Sequence, residues 1–114
     1  MEQLLVALDV DSRRRALELC NQLRGTVGGF KIGSRLFTSE GPSLVSTLVE
    51  HGDRVFLDLK YHDIPNTVKK AVEASLELGV WMLNVHSLGG KEMLRAAYEV
   101  VEKVSIKPLL VGVT

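Results

Sequence analysis

The sequence predicts an α/β protein built on a parallel sheet, of the barrel type rather than the open doubly wound type. Short apolar runs alternate with longer stretches of helical periodicity along the whole chain, and no linker or low-complexity segment interrupts them. The helical stretches are long enough to be right-handed crossovers between parallel strands. The choice of architecture rests on the first strand-to-helix turn. Asp9-Val10-Asp11-Ser12 lacks the glycine-rich loop that many doubly wound nucleotide binders carry there. Periodicity alone leaves the open sheet as the alternative.

Taken in order, Leu4 to Leu8 is a continuous apolar run ending on Asp9, the pattern of a strand buried on both faces. Asp11 or Ser12 can cap a helix from about Arg13 to Leu23, whose Ala16, Leu19, Cys20 and Leu23 share one stripe, and Gly25 follows as a stop signal. A short second strand spans Gly29 to Gly33 and contains Lys31. The polar stretch Ser39-Glu40-Gly41-Pro42 precedes a helix that Pro42 can open and that runs to about Glu50, with Gly52 beyond it. Val55 to Lys60 is the third strand. Ile64 to Thr67 leads into a helix from about Val68 to Leu78, closed by Gly79. Val80 to His86 is the fourth strand, Lys91 to Lys103 the fourth helix, and Pro108 to Thr114 the fifth strand. The pattern is β-α-β-α-β-α-β-α-β, about the first half of a (β/α)₈ barrel of the TIM type, in one domain over residues 1–114. A complete barrel needs about 200 residues or more. The first and fifth strands are therefore expected to be open apolar edges.

Composition narrows the function classes. The formal net charge is zero, and the longest basic run is Arg13-Arg14-Arg15 at a helix start, which reads as a solvated helix face rather than a nucleic-acid patch. The lone Cys20 rules out a disulfide within the chain and reads as a small buried residue. The apolar start stops at Asp9, too short for a membrane span or a signal sequence, so a cytoplasmic protein is expected. Trp81 and Tyr98 read as packing residues rather than a stacking platform for bases.

In a parallel barrel the strand C-termini share one rim, where active sites form. Read off the strand ends, that rim carries Asp9, Lys31, Asp58 with Lys60, Asn84 with His86, and Thr114. Asp58 and Lys60 stand two apart on a strand, so alternation points them to one side. A charge on a strand otherwise made of Val55, Phe56, Leu57 and Leu59 is costly unless paired. Asp58 next to Lys60 and Lys31 meets that requirement, and Asp63 at the following helix entrance adds a fourth charge, giving an alternating Lys/Asp array. Such an array serves either as a structural ion-pair network or as a charged proton donor in a ligand cleft. His62 and His86 form no His/Asp/Glu/Cys cluster at metal-ligand spacing; they read as a loop residue and a polar strand-end group.

The segment from Phe56 to Val68, containing Asp58-Leu59-Lys60-Tyr61-His62-Asp63, resembles the Asp-x-Lys-x-x-Asp signature of bacterial orotidine 5′-phosphate decarboxylases. Leu5-Val6-Ala7-Leu8-Asp9 is similar to that family's first strand, Phe30-Lys31-Ile32-Gly33 to its second, and Asn84-Val85-His86 with Gly89-Gly90 to its fourth strand and loop. The resemblance covers essentially the whole chain. It implies conversion of orotidine 5′-phosphate to uridine 5′-phosphate in pyrimidine synthesis, without metal or organic cofactor. Lys60 would give a proton to C6 of the pyrimidine, Asp58 would lie beside the departing carboxylate, Lys31 would bridge Asp58 and the ribose, and Asp9 would bind ribose. Asp63 and Thr67 would reach the neighbouring subunit's site in a homodimer, and Ile64, Pro65 and Asn66 would complete the substrate-binding segment. Ser87-Leu88 stands where the family more often has Ala-Ser, with a small effect on helix entry expected. The family's phosphate-binding arginine and glutamine follow later strands, beyond Thr114, so weak catalysis by this chain alone is expected.

Three further readings stay open. Magnesium-dependent sugar-phosphate decarboxylases and synthases share Asp-x-Lys-x-x-Asp but typically place a glutamate where Lys31 stands. The chain can also be a half-barrel that self-associates and is inactive alone, or the remaining strands can exist as a separate chain.

Overall fold

The computed structural model describes residues 2–114. The chain runs β1 (Leu5–Ala7), α1 (Arg13–Leu23), β2 (Gly29–Gly33), α2 (Ser34–Glu40), α3 (Pro42–Glu50), β3 (Val55–Tyr61), α4 (Pro65–Glu77), β4 (Met82–His86), a 3₁₀ turn (Ser87–Gly89), α5 (Lys91–Glu102) and β5 (Leu109–Val113). The strands form one sheet in the order β1-β2-β3-β4-β5, and the pairings β1–β2, β2–β3 and β4–β5 are parallel. This is the alternation expected of the first half of a (β/α)₈ barrel. The chain divides into two compact units, Met1–Asp58 and Leu59–Thr114.

In the first unit, Ser12 rather than Asp11 caps α1, its hydroxyl accepting the Arg15 N–H at 3.2 Å. Arg13 does not join a solvated face: its guanidinium donates to Ser43 and Thr47 on α3. Arg14 and Arg15 pair with Glu18 on their own helix. Past the end of α1, Arg24 grips Asp53 with two bonds of 2.8 and 2.6 Å, tying the helix exit to the entrance of β3. That bond pushes the Arg24 guanidinium further toward its charged form. Phe30 and Ile32 of β2 are fully buried beside Leu36, Leu44, Leu48 and Val55, while the alternate residues Lys31 and Gly33 are half-buried. One face of β2 is therefore core, and the other is left for polar groups.

The sequence pattern assigns no element to residues 34–38 and makes Ser39 and Glu40 part of a polar connection. The structure makes this segment α2, which packs on β2 and α3 through buried Leu36. Seven residues make too few turns for a 3.6 period to show, and only Leu36 is buried. Gly41, with φ +72°, ends this helix and opens α3 at Pro42; a side chain would be strained there.

β1 also departs from expectation. Leu5 and Val6 are half-buried and Ala7 is exposed, because β1 is an outer strand of the sheet rather than one covered on both faces. Cys20 is wholly buried on the α1 stripe, as expected. Burial pushes its thiol up from an ordinary value near 9 to about 12, with Asp53 adding to the shift and Arg24 opposing it. Because the folded-state value is the higher one, the stabilising contribution is complete below about pH 9 and is lost as pH rises toward about 12. Thermal melts are therefore expected to show stability falling with pH above about 9, and Cys20→Ala should flatten that fall. An identical alkaline slope in the variant would mean that the thiol ionises without cost to the fold.

In the second unit, Val68 and Val72 of α4 and Met93, Ala97, Val100 and Val101 of α5 are buried, with α4 packed against α5. Leu83 and Val85 of β4 are also buried. α4 starts at Pro65, three residues before the expected Val68, because the fixed φ of proline suits the first helical position. β5 pairs with β4 from Met82↔Leu109 to His86↔Val113, yet Leu109 and Val111 are exposed, as expected of an outer apolar strand. No helix among the described residues is long and apolar enough to cross a membrane.

Candidate active site

In the first unit, the parallel register sets Lys31 beside Ala7 and Phe56, and sets Asp58 beside Gly33. Asp58 is thus two residues further along the sheet than Lys31, about 6–7 Å at a strand's rise. A lysine stem spans that gap, and the intervening Gly33 puts no side chain on the shared face. Lys31 Nζ stands 3.3 Å from Asp58 Oδ2. Asp58 is 8% exposed, and a carboxylate so buried is costly without such a partner. The sequence reading paired these two residues, and the structure brings them together.

Asp9 is exposed just past β1, on a separate cavity of about 720 Å³ lined by Asp11, Ser12, Arg14, Arg15 and Arg35. Among the described residues, Lys31 and Asp58 do not line that cavity.

In the second unit, Lys60, Asp63 and Thr67 line one cavity of about 290 Å³ together with Tyr61 and His62. Asp63 Oδ1 accepts the Ile64 N–H at 2.7 Å, which shapes the turn into α4. Ile64 is 67% exposed, Pro65 takes the first helical position, and Asn66 is exposed on the first turn; among the described residues none of the three lines the cavity. Tyr61 is anchored to α4. The Ser75 hydroxyl donates to the Ala71 carbonyl at 2.9 Å, so the Tyr61 hydroxyl is the donor in its 2.7 Å bond to Ser75.

Lys60 is the single non-glycine residue with positive φ among the described residues, at +52°. Left-handed backbone costs a side-chain-bearing residue roughly 1–2 kcal/mol, so strand alternation does not by itself fix where the Lys60 side chain points. Asn84, in the middle of β4 and 3% exposed, accepts the Lys60 N–H on Oδ1 at 2.9 Å. The sequence pattern puts Asn84 near a strand end and does not reveal this bond. Its signal was a lone amide between Leu83 and Val85 on a buried strand.

The histidines are paired as well. The rings of His62 and His86 stack with centroids 5.2 Å apart and planes at 22°. His86 Nδ1 accepts the Leu88 N–H at 3.2 Å, so in the neutral ring the proton sits on Nε2. The sequence reading treated the two separately, since 24 positions divide them. Among the described residues, no group of three His, Cys, Asp or Glu side chains is arranged to hold a metal ion.

Comparison with known proteins bears on what this arrangement belongs to. The chain is 55% identical over 112 residues to an orotidine 5′-phosphate decarboxylase of Saccharophagus degradans, covering 98% of this chain and 47% of that protein. It is 48% identical over 117 residues to one of Carboxydothermus hydrogenoformans, covering 99% and 49%. The chain spans about half the length of the curated relatives it matches. Among solved structures, the orotidine 5′-phosphate decarboxylase of Lactobacillus acidophilus matches with a TM-score of 0.87 at 35% identity, over 97% of this chain and 52% of that one. A conserved protein of Geobacillus kaustophilus matches with a TM-score of 0.89 at 40% identity, over 96% and 53%. The family model for the orotidine 5′-phosphate decarboxylase / HUMPS family matches residues 2–114, and the chain belongs to that family.

Proposed function

We propose that this chain carries the lysine–aspartate chemistry of orotidine 5′-phosphate decarboxylation, giving uridine 5′-phosphate and CO₂. The observation that carries the reading is the Lys31–Asp58 pair at 3.3 Å, on parallel strands of a chain belonging to this family. Loss of CO₂ from C6 leaves an electron pair in the ring plane, a very strong base. An ammonium ion held beside it stabilises that charge and then delivers a proton. Lys60 takes this role. Asp58 lies beside the carboxylate that leaves, where its charge disfavours the bound carboxylate more than the transition state. Lys31 pairs with Asp58 and reaches the ribose, which Asp9 also binds. Asp63 and Thr67, with the intervening Ile64, Pro65 and Asn66, reach the site of a second subunit in a homodimer. The reaction needs no metal or organic cofactor, because the chain's own charges supply the electrostatics. The working place is the cytoplasm, where pyrimidine nucleotides are made.

Lys31 also weighs against the magnesium-dependent relatives, which typically use a glutamate at that position. A second reading draws on the exposed apolar residues Leu109 and Val111 of β5: a chain of this length that self-associates and does not turn over. One experiment separates them. Absorbance at the pyrimidine band is followed while orotidine 5′-phosphate is mixed with the purified chain, whose size is measured in parallel. Saturable loss of substrate is expected from a decarboxylase. A folded, self-associated chain that leaves the substrate untouched supports the second reading instead.

A further inference from the structure

We propose that Asn84 is a positioning residue for Lys60, fixing the backbone of the proton donor in its left-handed conformation; this rests on the reading of Lys60 given above. Three observations converge on it. Lys60 alone among the described non-glycine residues has positive φ, and it is the lysine of the Asp-x-Lys-x-x-Asp segment. A strained backbone persists where its surroundings hold it, and such strain collects at working sites. The acceptor of the Lys60 N–H is a side-chain amide, Asn84 Oδ1 at 2.9 Å. A main-chain acceptor would keep Lys60 in the ladder of an ordinary strand. A side-chain acceptor meets the N–H where the backbone angle at Lys60 departs from that of a regular strand, and so redirects the Cα–Cβ bond.

Asn84 stands where a side-chain amide has to be hydrogen-bonded. It is 3% exposed in β4, between Leu83 and Val85, where an apolar residue would bury without needing partners. Its neighbours show how firmly this end of β3 is tied down. Tyr61 is bonded to Ser75 on α4, and the Asp63 side chain closes the turn beyond. Between those anchors the Lys60 peptide is fixed by the Asn84 amide, so its Cα–Cβ bond starts from one defined direction. Precise placement of a reacting group acts on the chemical step more than on ground-state binding.

The test uses the full 114-residue chain with Asn84→Ala, which removes the acceptor, and Asn84→Asp, which keeps an oxygen at the same reach. Two quantities are read: hydrogen exchange of the Lys60 amide by NMR, and kcat and KM for orotidine 5′-phosphate. In Asn84→Ala, Lys60 exchange is expected to rise about tenfold or more, and kcat to fall about 10- to 100-fold with KM within about threefold. Asn84→Asp is expected to recover most of both. Should the alanine variant not fold, Asn84→Ser, too short to reach the Lys60 N–H, is read in its place. Unchanged Lys60 exchange on loss of the acceptor overturns the proposal. So does faster exchange with kcat intact, because the bond would then be structural only. If the unsubstituted chain shows no turnover, the decarboxylase reading fails by itself, while release of a protected Lys60 amide by Asn84→Ala still supports the hold on its backbone.

Discussion

Replacing Lys60 with alanine is expected to lower decarboxylation of orotidine 5′-phosphate by about 10²–10⁴-fold, the range over which a positioned acid–base group acts. KM should move far less. The electron pair left at C6 is localised in the ring plane and cannot spread into the π system, so its stabilisation has to come from a nearby positive charge. In the role proposed for Lys60, alanine removes both that charge and the proton that ends the reaction. Water can still supply a proton, but a neutral donor with no fixed orientation does not lower the barrier in advance.

Two companion variants sharpen this expectation. Lys60→Arg keeps a positive charge but is not expected to rescue turnover, because a guanidinium holds its protons too tightly and is planar where the ammonium is compact. Asp58→Asn tests the carboxylate by itself: it leaves Lys60 in place and removes the negative charge that pairs with Lys31. Loss of folding does not explain the expected Lys60→Ala defect, since alanine pays the same kind of left-handed backbone penalty as lysine. Melting temperature and turnover are measured on the same preparations. A Lys60→Ala chain that folds normally and keeps activity within about threefold would remove Lys60 from the proton-transfer step.

Much of this molecule was legible from period and punctuation. The first, third and fifth strands showed as mainly apolar runs, and Gly25, Gly52 and Gly79 followed the ends of α1, α3 and α4, each with positive φ. The Lys31–Asp58 pair was legible because a buried carboxylate on an apolar strand demands a cation, and β2 offers one. What stayed hidden shared one property: it depended on how distant segments meet, or on backbone angles that composition does not encode. α2 was too short to show a period. The left-handed turn at Lys60 sits at a residue type that gives no warning of positive φ. The Asn84 amide reaches across 24 positions to a main-chain N–H, and the His62–His86 stack spans the same interval. Arg13 read as surface charge because its partners, Ser43 and Thr47, lie a whole βα unit later.

The largest stability effect is expected at Phe30, the bulkiest of the fully buried side chains. β2 is paired on both sides, with Phe30 opposite Val6 of β1 and Val55 of β3, so a void there is bounded by strands that cannot easily close on it. Truncating a buried phenylalanine to alanine costs about 3–5 kcal/mol, against a total of about 5–15 kcal/mol for a typical domain. At roughly 4–8 °C per kcal/mol for a chain near this size, Phe30→Ala should lower the melting temperature by more than about 12 °C. Phe30→Leu should cost less, in proportion to the smaller cavity. The consequence for function is separable, because alternation puts Phe30 and Lys31 on opposite faces of β2. At a temperature where the Phe30→Ala chain is still folded, Lys31 and Asp58 should keep their pairing, and any turnover should fall only with the folded fraction. Urea titrations of both variants read the loss directly. A Phe30→Ala cost below about 1 kcal/mol would mean that the first unit relaxes into the space, and that the β2 core is far less tightly packed than its burial indicates.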